Sequence, residues 1–457
     1  MIGSPAVAFD WGGQVTSGYT WTDNIAQAPD GDSANILNAG LSAAIEHSTR
    51  TLSMDAEANH LYRYFPGNDD SSDSRPSLRG NIDWIPLAER LRFSVSDIYG
   101  QVALNPSEGL LPSDYENANV ATAGSQWGLP LSQDIRLQAA GEYRYATFDV
   151  TPVDTRRTLG ELRAEYNMSR LISLFASGSR SRTQFDVEGI SSAYDIDSVL
   201  LGFDAVARRS ALSFAFGVDS LKDDEETFSG SRYDLQYERQ ISRDAMVFVS
   251  GTREIADAAD VFSLAQISDP ALVSIRDVQV TPQPLVRQAY LLGYALSGNR
   301  LSFSIAGGYR KEHFRPLPES EAVLAGTDRN IRELLLNGEY VWSQRTSMLA
   351  RAEFLRERFV SGVTSNDLII GLSWLRRIAP RIGIEAGVQR IERSNSPRNF
   401  DELRFELLLR YTGRELPGQG EDVFDRAFER RARRARESVG LPVENVPPAT
   451  PVPADSP

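Results

Sequence analysis

Cysteine is absent, which excludes a disulfide framework, a thiolate metal site and a cysteine nucleophile. Histidine is scarce: His47, His60 and His313 are the three in the chain and lie far apart in sequence. Lysine occurs only at Lys222 and Lys311, so almost all positive charge is arginine. No run of about 18 apolar residues exists, so a helical membrane span is excluded and a strand-built span is not. There is no P-loop, dinucleotide-binding glycine pattern, HExxH or nucleophile elbow. A formal net charge of −14 fits no nucleic-acid partner. The 457 residues and a mean hydropathy of −0.32 would ordinarily suggest two or three soluble domains, yet no composition shift divides residues 10–413.

What is present is alternation. In "LRFELLLRY", Leu403, Phe405, Leu407, Leu409 and Tyr411 share one side of an extended chain, and Arg404, Glu406, Leu408 and Arg410 share the other. The pattern recurs in Leu52–Asn59, Ile135–Arg144, Arg232–Glu238, Glu333–Trp342 and Arg381–Gln389, as half-wet strands of about ten residues. Short turns come at "HSTRT", "LAERL", "SQDI", "NMSRL", "ARRSA", "ISRDA", "SGNRL", "SQRTS" and "IAPRI", roughly every 40 residues, the spacing of one hairpin plus one further loop. Longer polar connections alternate with them: "NIAQAPDGDSA", "FPGNDDSSDSRPS", "NPSEGLLPSDYEN", "KDDEETFSG", the stretch from Asp257 to Leu285, and "RPLPESEAVLAGTDRN".

One rim of tight turns and one of long loops describe an all-β chain: a single transmembrane up-and-down antiparallel β-barrel of about 20 strands, with 18 the alternative count, long extracellular loops and short periplasmic turns. A five-bladed propeller would match the strand number, but its blades would repeat in sequence and would not carry charge on the second face of strand after strand. Hydrocarbon on the outside and water inside explain both faces, and closure is obligatory because an open edge in lipid leaves backbone groups unpaired. Tyr19, Trp21, Tyr62, Tyr64, Trp84, Tyr143, Tyr145, Tyr340, Trp342, Trp374 and Tyr411 fall towards strand ends, where interfacial girdles belong. The expected location is the bacterial outer membrane.

Residues 1–9 read as a signal-peptide remnant or N-terminal arm, since Ala6-Val7-Ala8 has the form of a cleavage site without the regions that should precede it. Residues 414–457 read as a periplasmic basic helix followed by a disordered tail. Phe424 and Phe428 stand at i,i+4 beside Arg430, Arg433 and Arg434, a surface for a periplasmic partner, and "LPVENVPPATPVPADSP" is Pro-rich.

The opening "GYTWTDNI", Gly18 to Ile25, with a Tyr-rich strand running into Asp23-Asn24, is similar to the first strand and outer loop of the exosortase/PEP-CTERM-system-associated outer-membrane β-barrels. That family belongs to the porin-like barrels linked to exopolysaccharide gene clusters. The likeness in length and rhythm spans most of residues 10–413, while the basic Pro-ended tail departs from the pattern. It implies a role near export of a secreted polysaccharide and carries over no catalytic residue.

Candidate chemistry lies on the wet face. Arg136, Arg144, Arg163, Arg232, Arg351, Arg404 and Arg410, with Glu238, Glu339, Glu353 and Glu406, are expected to line a lumen. Such residues either simply hydrate the wall or form a selective path in which arginine attracts anionic groups. His313 with Ser302 or Ser304 is the one conceivable hydrolase pair, and the lone-histidine reading is preferred: no enzyme activity is assigned. Asp69, Asp70, Asp73 and Asp223, Asp224, Glu225, Glu226 either bind divalent ions that bridge lipopolysaccharide phosphates or are solvated loop charge; no metal or cofactor is assigned. The long segment from Asp257 to Leu285 would constrict the lumen if folded inward. The function expected is an outer-membrane channel for export of an exopolysaccharide or similar hydrophilic polymer. The alternatives are a general porin for small hydrophilic solutes and a non-conducting anchoring barrel of a secretion system. Partners are then outer-membrane lipid and lipopolysaccharide, the transported saccharide or solute, and a periplasmic secretion component.

Overall fold

A computed structural model describes residues 9–414 apart from 26–30, 67–71, 89, 104–114, 150–152, 188–189, 224–225, 257–282, 316–326, 361 and 396–398. Every regular element among them is a strand: β1 Asp10–Thr22, β2 Ala34–Ser48, β3 Leu52–Tyr64, β4 Ser72–Leu87, β5 Leu91–Ala103, β6 Tyr115–Pro130, β7 Ile135–Phe148, β8 Val153–Asn167, β9 Ile172–Val187, β10 Ile190–Ala207, β11 Ser210–Lys222, β12 Thr227–Gln240, β13 Ala245–Ala256, β14 Leu285–Ser297, β15 Leu301–Phe314, β16 Arg329–Ser343, β17 Thr346–Phe359, β18 Thr364–Ala379, β19 Ile382–Asn395 and β20 Phe400–Arg414. Each pairs antiparallel with its sequence neighbours. β20 also pairs with β1, with Trp21 opposite Phe405, Tyr19 opposite Leu407 and Val15 opposite Tyr411. The 20-stranded sheet is therefore closed and has no edge.

All nine expected tight turns join strands across two to four residues on one rim. A repeated local device closes several of them. Thr49 Oγ1 accepts the Leu52 amide at 2.9 Å, Ser132 Oγ the Ile135 amide at 3.0 Å, and Ser169 Oγ the Ile172 amide at 3.1 Å. A hydroxyl at the turn's start thus satisfies the amide that opens the next strand.

The opposite rim differs from expectation. The connections β1–β2, β5–β6, β13–β14 and β15–β16 are long, but β7–β8, β11–β12, β17–β18 and β19–β20 are short. Gly362 in the β17–β18 turn has φ +88°, the left-handed region that glycine enters without steric cost. Of "KDDEETFSG", Thr227–Gly230 belongs to β12, and of "FPGNDDSSDSRPS", Ser72–Ser77 belongs to β4. The strands run 12 to 18 residues rather than about ten. They continue past the bilayer into water, where a paired backbone tolerates polar side chains, so polarity there no longer marks a loop.

Register separates the two faces consistently around the wall. The row Trp21–Phe405–Val388–Leu372–Ala350–Gly338 joins cross-strand partners from β1 back through β20 to β16, all outward. Leu162, Val199, Leu201 and Leu292 are 69%, 63%, 66% and 59% exposed, although they are large and apolar, as a lipid-facing surface requires. All eleven girdle aromatics named from sequence have this outward parity. Trp84, Tyr340, Trp342, Trp374 and Tyr411 stand near the tight-turn ends, and Tyr19, Trp21, Tyr62, Tyr64, Tyr143 and Tyr145 near the loop ends. On β16 the outward row from Leu334 to Trp342 spans roughly 27 Å along the strand, and a tilt of about 40° reduces this to roughly 20 Å along the axis, close to the about 25 Å of a barrel's apolar band.

Residues 1–8 of the N-terminal arm, the segment from 257 to 282, Asp69, Asp70, Asp224 and Glu225, and the tail with Phe424, Phe428, Arg430, Arg433 and Arg434 lie outside the described residues.

Candidate functional site: the inner wall

Opposite parity places Arg136, Arg144, Arg163, Arg232, Glu238, Glu339, Arg351, Glu353, Arg404, Glu406 and Arg410 on the inner face. They do not form one cluster. They are spread around the circumference and along the axis, and the arginines have carboxylates close by: Arg136 stands directly opposite Glu165 in the register. Arg144 reaches Glu142 at 2.9 Å, Arg163 reaches Asp204 at 2.9 Å, Arg232 reaches Asp219 at 3.4 Å, Arg351 reaches Glu353 at 2.8 Å, Arg404 reaches Glu402 at 2.7 Å and Arg410 reaches Glu385 at 2.9 Å. The pairing follows from the fold: inward side chains converge across the concave wall, so residues two strands apart, such as Arg163 on β8 and Asp204 on β10, meet over the strand between them.

The most buried pairs stand towards the loop rim. Arg329, 1% exposed, bridges Glu312 on β15 at 2.7 Å and Glu357 on β17 at 2.9 Å. Arg393 forks onto Asp367, its Nε 2.8 Å from Oδ1, the bidentate geometry in which guanidinium and carboxylate match best. Asp73 is held by Arg63 and by Arg75, the latter at 2.7 Å, so this acidic residue belongs to a wall network. Thr22 donates its hydroxyl to Glu402 at 2.6 Å, tying β1 to β20 at the closure seam. Nearer the turn rim, Arg163 also lies 3.7 Å over the ring of Phe175, and Ser213 donates to Asp204 at 2.6 Å.

One sector is apolar. Phe185, Tyr194, Ile196, Leu221 and Ile255 form a buried cluster at the loop end of β9–β13, with Phe228 and Val286 against it. The Ile255 amide donates to Asp219 Oδ2 at 3.0 Å, although Asp219 is on β11 and β12 lies between. The last residues of β13 therefore leave β12 and cross the inner wall. Ile255, Ala256, Gln283 and Leu285, which flank the long segment, are all buried.

The imagined hydrolase pair is not formed. His313 is near the loop end of β15 with outward parity, where Asp328 holds its Nδ1. Ser302 and Ser304 are inward and 9 to 11 residues back along the same strand, about 30–37 Å away. Among the described residues no three His, Asp or Glu side chains are grouped to hold a metal ion.

Sequence reasoning missed a feature of the tight turns. Arg50, Arg90, Arg170, Arg208, Arg209, Arg243, Arg300, Arg345 and Arg381 occupy eight of the nine turns, and all are exposed. The signal lies in the turn sequences themselves, eight of which carry an arginine.

No family model and no curated protein matches the chain. Solved structures similar to it include a mutant of the ferric enterobactin receptor from Pseudomonas aeruginosa, 9% identical over 88% of this chain and 80% of that one, with a TM-score of 0.47. The copper transporter OprC is 12% identical over 88% and 80%, with a TM-score of 0.45. The FrpB iron transporter from Neisseria meningitidis is 8% identical over 88% and 81%, also at 0.45. This distant likeness brings no ligand chemistry to the chain. Closure, outward apolar band, two aromatic girdles and a charged inner wall make the protein a 20-stranded transmembrane β-barrel of the bacterial outer membrane.

Proposed function

We propose that the barrel is a water-filled channel that conducts a hydrophilic polymer across the outer membrane, in keeping with its resemblance to barrels linked to exopolysaccharide export. The observation that carries this reading is the inner wall: ion pairs and hydroxyls line it from Asp204 and Glu385 near the turn rim to Glu402 and Arg329 near the loop rim. A wall whose charges are largely neutralised pair by pair hydrates a passing saccharide without holding it, because a paired arginine is already engaged by a carboxylate and offers only its remaining donors. Transit of a polymer with many hydroxyl groups needs that weak, repeated contact.

A second reading, a barrel of restricted conductance with an anchoring or gated role, is favoured by one observation: the end of β13 crosses the inner wall and is fixed there by Asp219 and the apolar cluster. Planar-bilayer recording separates the two. Discrete channels that neutral and anionic oligosaccharides enter and transiently block are expected of a conduit. A folded barrel that passes neither ions nor sugar would favour the restricted reading, and rapid ion conduction with no sugar block would favour a small-solute porin.

A further inference from the structure

The outward face carries charge just above the apolar band, and in two sectors ion pairs balance it. On β9–β11, Arg180 pairs with Asp195 at 2.7 Å and Lys222 with Asp197 at 2.7 Å. On β19–β20, Arg390 pairs with Asp401 at 2.9 Å and also with Glu392.

The sector of β15–β17 is different. Lys311, Arg332, Arg356 and Arg358 all have outward parity and are all exposed. None has an ion pair or hydrogen bond to a described residue. Arg332 stands directly opposite Arg356 in the register, and Lys311 and Arg358 both stand opposite Asn330, two residues along. Directly opposed residues have Cβ atoms about 4.5–5.5 Å apart, and like charges so placed destabilise a sheet. The carboxylates adjacent in sequence, Glu312, Glu333 and Glu357, have inward parity, and Asp328 is already engaged by His313 and by the Phe314 amide at 2.7 Å.

Position supplies the compensating charge. Leu334 and Phe354, outward and 39% and 40% exposed, are two residues below Arg332 and Arg356 and open the lipid-facing band. The four cations thus stand at the depth of the outer-leaflet head groups, within a patch about 10 Å across. Guanidinium forks donate paired hydrogen bonds to phosphate oxygens, and a phosphate placed between Arg332 and Arg356 turns their repulsion into two attractions. We propose that Lys311, Arg332, Arg356 and Arg358 form a binding site for the phosphate groups of lipopolysaccharide on the outside of the barrel. The site rests on the outer-membrane location and not on what passes through the lumen.

The test uses the full chain refolded in detergent free of lipopolysaccharide and titrated with the purified glycolipid, with bound molecules counted by native mass spectrometry. The triple variant R332Q/R356Q/R358Q is expected to bind at least tenfold more weakly. The control R180Q/K222Q should stay within twofold of the parent, and dephosphorylated lipopolysaccharide should not bind the parent. R356E replaces the like-charged pair by an opposite-charged one, so it keeps the register stable while halving the site's net positive charge and removing the paired guanidinium; it should remain heat-modifiable and lose binding. Equal affinity of R356E or of the triple variant and the parent would overturn the proposal. So would binding that chelation of divalent ions abolishes, which would assign the glycolipid to carboxylates bridged by metal.

Discussion

Replacing Arg329 by methionine tests whether the inner-wall ion pairs act as buried or as solvated contacts. Arg329 is 1% exposed, and its partners Glu312 and Glu357 are 3% and 8% exposed. Removing one member of a buried pair leaves its partners desolvated and uncompensated, at a cost of about 3–5 kcal/mol. Glu312 keeps a second arginine, Arg310, at 3.0 Å, so the larger part of the loss should fall on Glu357. R329M/E357Q should accordingly recover at least about 1 kcal/mol relative to R329M, the size of coupling expected between contacting charges. The Arg410–Glu385 pair is a contrast of the same chemistry, because its side chains are 38% and 18% exposed. R410Q should therefore cost only about 0–1 kcal/mol. Equilibrium urea unfolding in lipid vesicles, with stability extrapolated linearly to water, measures all three variants against the parent. An R329M variant no less stable than R410Q would refute the reasoning, since burial would then not govern the cost.

Three further outcomes follow from the same geometry. Leu372→Arg puts a charge on the lipid face in the middle of the band and should cost about 2–4 kcal/mol, while Ser373→Arg, one residue on and facing the lumen, should cost under about 1 kcal/mol; equal costs in vesicle folding would contradict the face assignment. R163Q/R410Q frees Asp204 and Glu385 near the periplasmic mouth, so the channel should shift towards cation selectivity, and an unchanged reversal potential under a salt gradient would count against a conducting lumen lined by these pairs. Deleting residues 415–457 leaves the closing register of β20 on β1 intact; the truncated barrel should fold and shift on heating like the parent while polymer secretion falls, and undiminished secretion would remove the tail from the function.

The strand faces could be read from sequence because the side-chain period of a strand is two and the two solvents differ: Leu403 to Tyr411 already divides into lipid and water sides. The nine tight turns could be read because a hairpin in a barrel must reverse within a few residues, and Thr49, Ser132 and Ser169 supply its hydrogen bonds. Three things were hidden. Strand ends such as Ser72–Ser77 and Thr227–Gly230 look like loop in sequence because strands that leave the bilayer lose the apolar half of their alternation. Partners two strands apart, such as the ion pair of Arg163 with Asp204 or the hydrogen bond from Arg232 to Ser198, depend on wall curvature and stagger, which no local pattern encodes. The uncompensated cations at Arg332 and Arg356 also required the register, since 24 residues separate them in the chain.

The absence of cysteine makes the central claim, a continuous wet inner wall, directly measurable along Leu403 to Arg410 of β20. Single substitutions from Leu403→Cys to Arg410→Cys would be treated in sealed vesicles with a membrane-impermeant maleimide added from one side. The account predicts that Arg404→Cys, Glu406→Cys, Leu408→Cys and Arg410→Cys react and that Leu403→Cys, Phe405→Cys, Leu407→Cys and Leu409→Cys do not. Loss of the two-residue period, or reaction that stops partway along the even positions, would contradict it.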